Sequence, residues 1–162
     1  MMGAGKSSVG RLLAQQLGRR FVDTDACIVT QSGMVVAALF EAHGEARFRA
    51  IESDVMAASL DETDPSILSL GGGVVLSAQN RTALHERSIV VWLRATPETL
   101  IARVGNATTR PLLADDPERV IRRLDAERRS LYADCADIVV DVDDLRLTQV
   151  VDCVRMSAEH LA

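Results

Sequence analysis

Gly5, Lys6 and Ser7 sit in the opening run "MMGAGKSSVGRLLAQQLG" and bring together three groups suited to holding a polyphosphate. Consecutive backbone N–H groups in a glycine-rich turn can wrap an anion, and a helix starting there adds its positive dipole end. The Lys6 ammonium would reach the β- and γ-phosphates, and the Ser7 hydroxyl would ligate Mg²⁺. The three residues fill the end of the pattern G-x-x-x-x-G-K-[ST]. Among the 18 basic side chains Lys6 is the single lysine, in a chain that otherwise uses arginine for positive charge. Keeping a compact ammonium only here favours a phosphate loop, Gly3 to Ser8, over the bland alternative of a Gly-rich turn before a helix.

Asp23 and Asp25 close a short β-like run in "FVDTD". Two residues apart on a strand, both carboxylates point to the same side. Beside a nucleotide, one can order Mg²⁺ and its waters while the other accepts a hydrogen bond from an attacking hydroxyl. A solvated turn is the competing reading of so short a motif. Farther on, Arg49 lies in a helical pattern beside Phe48 and Ile51, with Glu52 one turn later to orient it by an ion pair. Arg128 and Arg129 are adjacent, and the spacing to Leu131 and Tyr132 favours Arg128, leaving Arg129 to solvent. Arg110 precedes a proline, which imposes an extended approach. It centres "VGNATTRPLLADDP" (104–117), whose polar, Gly- and Pro-bearing character reads as a lid that excludes water. His43, His85 and His160 have no metal-ligand spacing.

The elements that must position these groups follow a simple alternation. Val9, Leu12, Leu13 and Leu17 recur at helical spacing and Gly18 stops the helix. The segment from Met34 to about Leu60 reads as two helices parted by "HGE". "SILSLGGG" (66–73) is a buried strand that breaks into glycines, and 80–86 forms a short helix. "SIVVWLR" is a second apolar strand. "TPETLIARV" and "DPERVIRRLDAERRSLY" each open on a capping side chain followed by Pro, a strong helix start. "ADIVVDV" is the last strand and 147–161 the last helix. Apolar strands alternating with helices predict an α/β fold, a parallel sheet covered on both faces. Ligands bind such sheets beyond the carboxyl ends of the strands, where each polar feature above falls.

Length and composition set bounds. A chain of 162 residues fits one domain, 1–162, large enough to bury about 70% of its unfolded surface. The apolar runs fall short of the roughly 18 residues of a membrane span, and no secretion signal is evident, so neither a membrane nor export is expected. The net charge of −5 argues against a general nucleic-acid partner. Cys27, Cys135 and Cys153 are scattered, suit a reducing cytoplasm and are expected as small core residues.

Taken together, "GAGKSSVGRLLA", "FVDTD", "EARFRAIES", "LSLGGGVV", "TTRPLL" and "ERRSLY", in this order and spacing, closely resemble the shikimate kinase family. The resemblance covers nearly the whole chain. It implies a three-layer P-loop kinase fold with a lid, related to the nucleoside monophosphate kinases, and substrate-binding helices over about 34–60. It implies transfer of the γ-phosphoryl of Mg-ATP to the 3-hydroxyl of shikimate, on the route to chorismate, by a cytoplasmic monomer. By the same resemblance Asp25 contacts the shikimate hydroxyls and is the candidate base, with Asp23 near the magnesium. Arg49 and Arg128 grip the substrate carboxylate, and Gly71, Gly72 and Gly73 form the run against which the substrate lies. Arg110 is the lid arginine that reaches ATP, and Arg103 lies against adenine. One departure is visible: "DVDDLRL" puts Leu145 where the family often has an arginine, with Arg146 one step on.

The residue chemistry agrees. Guanidinium forks suit a carboxylate, glycines let a flat ring approach backbone N–H groups, and phosphoryl transfer is mostly positioning and charge. Two alternatives stay open: another small-metabolite P-loop kinase, of gluconate or nucleoside monophosphate type, and a nucleotide-binding remnant without catalysis. The remnant is raised by the start of the chain. No apolar strand precedes the loop, and the opening Gly of its pattern would lie one residue before Met1. The expectation is a polypeptide that begins upstream with that strand and glycine.

Overall fold

The computed structural model describes residues 1–105 and 116–161. Arg110 and nearly all of the expected lid lie outside the described residues.

Helix α1 (Lys6–Leu17) begins at Gly5, whose left-handed φ of 90° turns the loop into the helix, and ends at Gly18, also left-handed at 61°. A side chain at either position would clash with its own backbone. Strand β1 (Arg20–Asp23) follows and runs straight into α2 (Thr24–Ser32). Helix α3 (Val36–Leu60) is interrupted at Gly44, with φ 76° and ψ 170°, so the two expected helices form one bent unit hinged inside "HGE". Strand β2 (Ser66–Ser69) leads through the glycines into a 3₁₀ turn, Val74–Leu76. Then come α4 (Ala78–Arg87), β3 (Val91–Arg94) and α5 (Pro97–Val104). Helix α6 (Pro117–Cys135), β4 (Ile138–Asp141) and α7 (Leu147–Glu159) complete the chain. The capping grammar read from sequence holds: Thr96 and Asp116 each accept a backbone N–H, from Thr99 and Arg119, ahead of a first-turn Pro.

The strands pair in parallel as two couples, β1 with β2 and β3 with β4. In register, Asp23 lies opposite Ser69, and Arg94 opposite Asp141, so both couples end together. Parallel partners need a long crossover. Helices α2 and α3 provide it for the first couple, α5 and α6 for the second. No strand pairing joins β2 to β3 among the described residues. Helix α1 packs on β1, β2 and α7. Gly10 makes its close approach possible, since a Cβ there would come within 2.7 Å of the Phe21 ring.

One large apolar cluster joins α1, strands β2 to β4 and α4 to α7 through residues such as Leu13, Trp92, Leu100, Ile121 and Val151. A smaller one, Ile28, Leu39, Phe48 and Val55, locks α2 against α3. Burying side chains of this size is worth about 1.5–3 kcal/mol each, so α2 and α3 form a wall with a core of its own. Of the cysteines only Cys135 is buried. Cys27 is half-buried, and Cys153 is exposed on α7, against the expectation of a core role. Among the described residues no single helix is long and apolar enough to cross a membrane.

Candidate active site

Beyond the carboxyl ends of β1 and β2 opens a cavity of about 760 Å³. Gly3, Gly5, Lys6, Ser7 and Ser8 form one wall; Asp23, Asp25, Arg49, Gly71, Gly72, Gly73, Arg103 and Arg128 complete the set of expected residues lining it. Ala4, expected in the phosphate loop, is buried behind that wall. Lys6, Asp25 and Arg128 therefore face a single chamber.

The loop is held by short polar contacts. The Lys6 ammonium donates to the Met1 carbonyl at 2.9 Å. The Ser7 hydroxyl donates to Asp23 Oδ2 at 2.7 Å and lies 3.3 Å from the Ser69 hydroxyl, which ties the start of α1 to the ends of β1 and β2. Thr24, fully buried, donates to the Ser69 carbonyl and closes the same junction.

Asp23 and Asp25 do face one cavity, but not by strand alternation. The chain leaves the extended conformation just after Asp23, which caps α2 by accepting the Asp25 N–H at 3.2 Å. Asp25 sits in the first helical turn, where the helix dipole favours a carboxylate. The strand reading fails because the chain turns helical at Thr24, one residue after the strand ends.

The opposite wall is built on glycines. The Arg49 guanidinium lies on Gly73, and a Cβ on Gly71 would strike Glu52 Oε1 at 2.2 Å. Arg49 donates through Nη1 to Glu52 Oε2 at 2.8 Å, the ion pair expected from their spacing. It also donates through Nε and Nη2 to Glu45 Oε1 at 3.3 and 3.1 Å. The guanidinium lies over the rings of Phe40 and Phe48, with centroids 5.6 and 5.3 Å away. Burial pushes the Glu52 carboxyl above its usual range, and the hydrogen bond from Arg49 only partly opposes this.

Arg128 is 8% exposed and donates to the Gly72 carbonyl at 3.2 Å, while its Nε is buried with no hydrogen-bond partner. A buried cation with an unmet donor, beside a cavity, is built for an anion. Tyr132 donates to the same carbonyl at 2.7 Å and stacks on Trp92 at 5.7 Å, fixing the Gly72 peptide from behind. Burial raises the Tyr132 phenol above its usual value, so it stays a donor. Arg129 is more exposed than Arg128 but is not simply left to solvent: it pairs with the buried Asp125 at 3.0 Å and lies over the Trp92 ring.

At the far end Arg103 donates to the Val142 carbonyl at 2.6 Å, linking α5 to the loop after β4. In that loop Leu145 packs partly against the core, and the Arg146 N–H donates to Gln149 Oε1 at 2.9 Å as α7 begins. Sequence reasoning missed Glu45, Tyr132 as a clamp on Gly72, and Val35, Val36, Ala37 and Phe40 as cavity wall. The i,i+4 spacing of Glu45 to Arg49 was the one available signal among them.

A sequence model described as shikimate kinase matches residues 2–157 of this chain. The chain belongs to the shikimate kinase family. A shikimate kinase of Nitrobacter winogradskyi is 45% identical over 163 residues, covering 99% of this chain and 75% of its own length. Among solved structures, a shikimate kinase from Acinetobacter baumannii in complex with shikimate superposes with a TM-score of 0.84. That match has 34% identity and covers 99% of this chain and 86% of the other. One from Bacteroides thetaiotaomicron gives 0.90 at 26% identity, covering 98% and 94%. The α/β architecture is thus that of the small P-loop kinases to which this family belongs.

Proposed function

We propose that this chain transfers the γ-phosphoryl group of ATP to the 3-hydroxyl of shikimate, giving 3-phosphoshikimate and ADP. One observation carries the reading: the glycine-rich loop with its Lys6 ammonium, Asp25, and the arginines Arg49 and Arg128 all line a single cavity.

In this reading the loop Gly3–Ser8 holds the phosphates and Lys6 neutralises charge that develops as the phosphoryl group moves. Arg49 and Arg128 bind the carboxylate of the acceptor and fix its ring against Gly71, Gly72 and Gly73. Asp25 accepts the proton of the attacking hydroxyl. Arg103 lies along the adenine side; Arg110, the arginine expected to reach ATP, lies outside the described residues. Ser7 and Asp23 offer an alcohol and a carboxylate oxygen, a hard donor set that suits Mg²⁺ completing its shell with water and phosphate oxygens. The cation would supply charge neutralisation between the phosphates. The enzyme is read as a cytoplasmic monomer acting on two small molecules, without nucleic-acid or membrane partners.

The test is an ADP-release assay with a panel of acceptors. ATP consumption dependent on shikimate is expected. Phosphate appearing on gluconate or a nucleoside monophosphate, but not on shikimate, would overturn the reading, and silence with every acceptor would favour a binding remnant.

A further inference from the structure

Arg49 is held by two carboxylates rather than one, and the two are unequal. Glu52 is 3% exposed at its side chain and takes Nη1, while the face of the guanidinium beside Nη1 and Nη2 is pressed on Gly73. The remaining edge, Nε with Nη2, is the one a planar carboxylate grips in parallel bonds. A single oxygen of Glu45 already bridges both nitrogens of that edge, at 3.3 and 3.1 Å. Glu45 is 62% exposed at its side chain and follows directly on the Gly44 break, so it can swing into water while Glu52 stays.

We propose that Glu45 is an internal competitor for the substrate's carboxylate: it occupies the seat on Arg49, and its departure is part of the binding equilibrium. The proposal rests on the reading of Arg49 as a carboxylate clamp. Charge supports it. Two carboxylates around one guanidinium leave that corner net negative, which repels an incoming acid until Glu45 moves aside. Once it has moved, the corner is neutral and the planar edge is open. A ligand without a carboxylate has no use for that edge and gains nothing from its release. Glu45 thus sets affinity for the acid without touching the transferred phosphoryl group.

The test is calorimetric titration of wild type and Glu45→Gln with shikimate and with its methyl ester. Removing an exposed competitor should tighten shikimate binding by about 1.5- to fivefold, the span of an exposed ion pair, and leave the ester unchanged. Unchanged or weaker shikimate binding overturns the proposal, as does an equal gain for the ester. Arg49→Lys, which keeps a charge facing Glu52 but lacks the planar edge, checks the clamp separately. If that variant binds shikimate as wild type does, the clamp reading has failed and the competitor falls with it. If it binds more weakly while Glu45→Gln shows no gain, only the competitor is lost.

Discussion

A Cβ built on Gly73 would lie 1.9 Å from Arg49 Nη1, so the glycine and the guanidinium occupy complementary volumes. The arginine is the movable partner, because its end is flexible and the glycine is backbone. Gly73→Ala should therefore leave the fold intact and push Arg49 off its seat. Losing a charge-assisted hydrogen bond of about 1.5–3 kcal/mol raises the KM for shikimate by about tenfold or more. Steady-state kinetics beside a thermal melt checks this, and an unchanged KM with an unchanged melt would show that Arg49 does not hold the acceptor.

Gly10 poses the opposite case. Its added Cβ would meet the Phe21 ring at 2.7 Å, and Ile67 at 3.5 Å, where helix α1 presses on β1 and β2. Neither neighbour is a free chain end. Gly10→Ala should cost about 1–3 kcal/mol of stability, as overpacked cores do, with activity per folded molecule kept. Urea unfolding at a constant slope would measure it.

Lys6 and Asp25 are expected to affect turnover rather than folding. Lys6→Ala removes an ammonium placed for developing charge, which is worth about 10²- to 10³-fold in kcat. Asp25→Asn keeps the shape and removes the proton acceptor, with a loss of about 10²-fold or more. Near-normal turnover in either variant removes that residue from the mechanism.

Glu52 gives the fold a pH signature. Burial holds its folded-state carboxyl above the ordinary value of 4.5, so the unfolded chain loses this proton first as pH rises. Its contribution is fully present below pH 4.5 and is lost as pH climbs through the folded-state value. The stability of wild type relative to Glu52→Gln should therefore decline from acid toward neutral pH. Chemical unfolding of both proteins across that range reads it directly. A difference that grows with pH would mean that Arg49 outweighs burial.

Much of this was legible in the chain. The helix starts at Thr96 and Asp116 were readable because capping is local, one side chain answering one N–H a turn away. Arg128 was separable from Arg129 through the family resemblance of "ERRSLY" and the spacing to Leu131 and Tyr132 within it. The glycine break in α3 was legible since Gly44 stands between two apolar patterns. What escaped was either ambiguous locally or set by distant parts of the chain. Helix α2 was missed because its start, Asp23 to Asp25, also fits the end of a strand. Tyr132 and the Gly72 carbonyl are 60 positions apart, and nothing in either segment announces the hydrogen bond between them.

The chamber holds the protein's sole lysine side chain, with its nitrogen bonded to the Met1 carbonyl. Any acyl group that an amine-seeking reagent attaches to a side chain must therefore sit inside the chamber. The fraction acylated at Lys6, read from a peptide map, then becomes a tally of open versus filled molecules, and a nucleotide that shields Lys6 would report its own residence with no assay of catalysis at all.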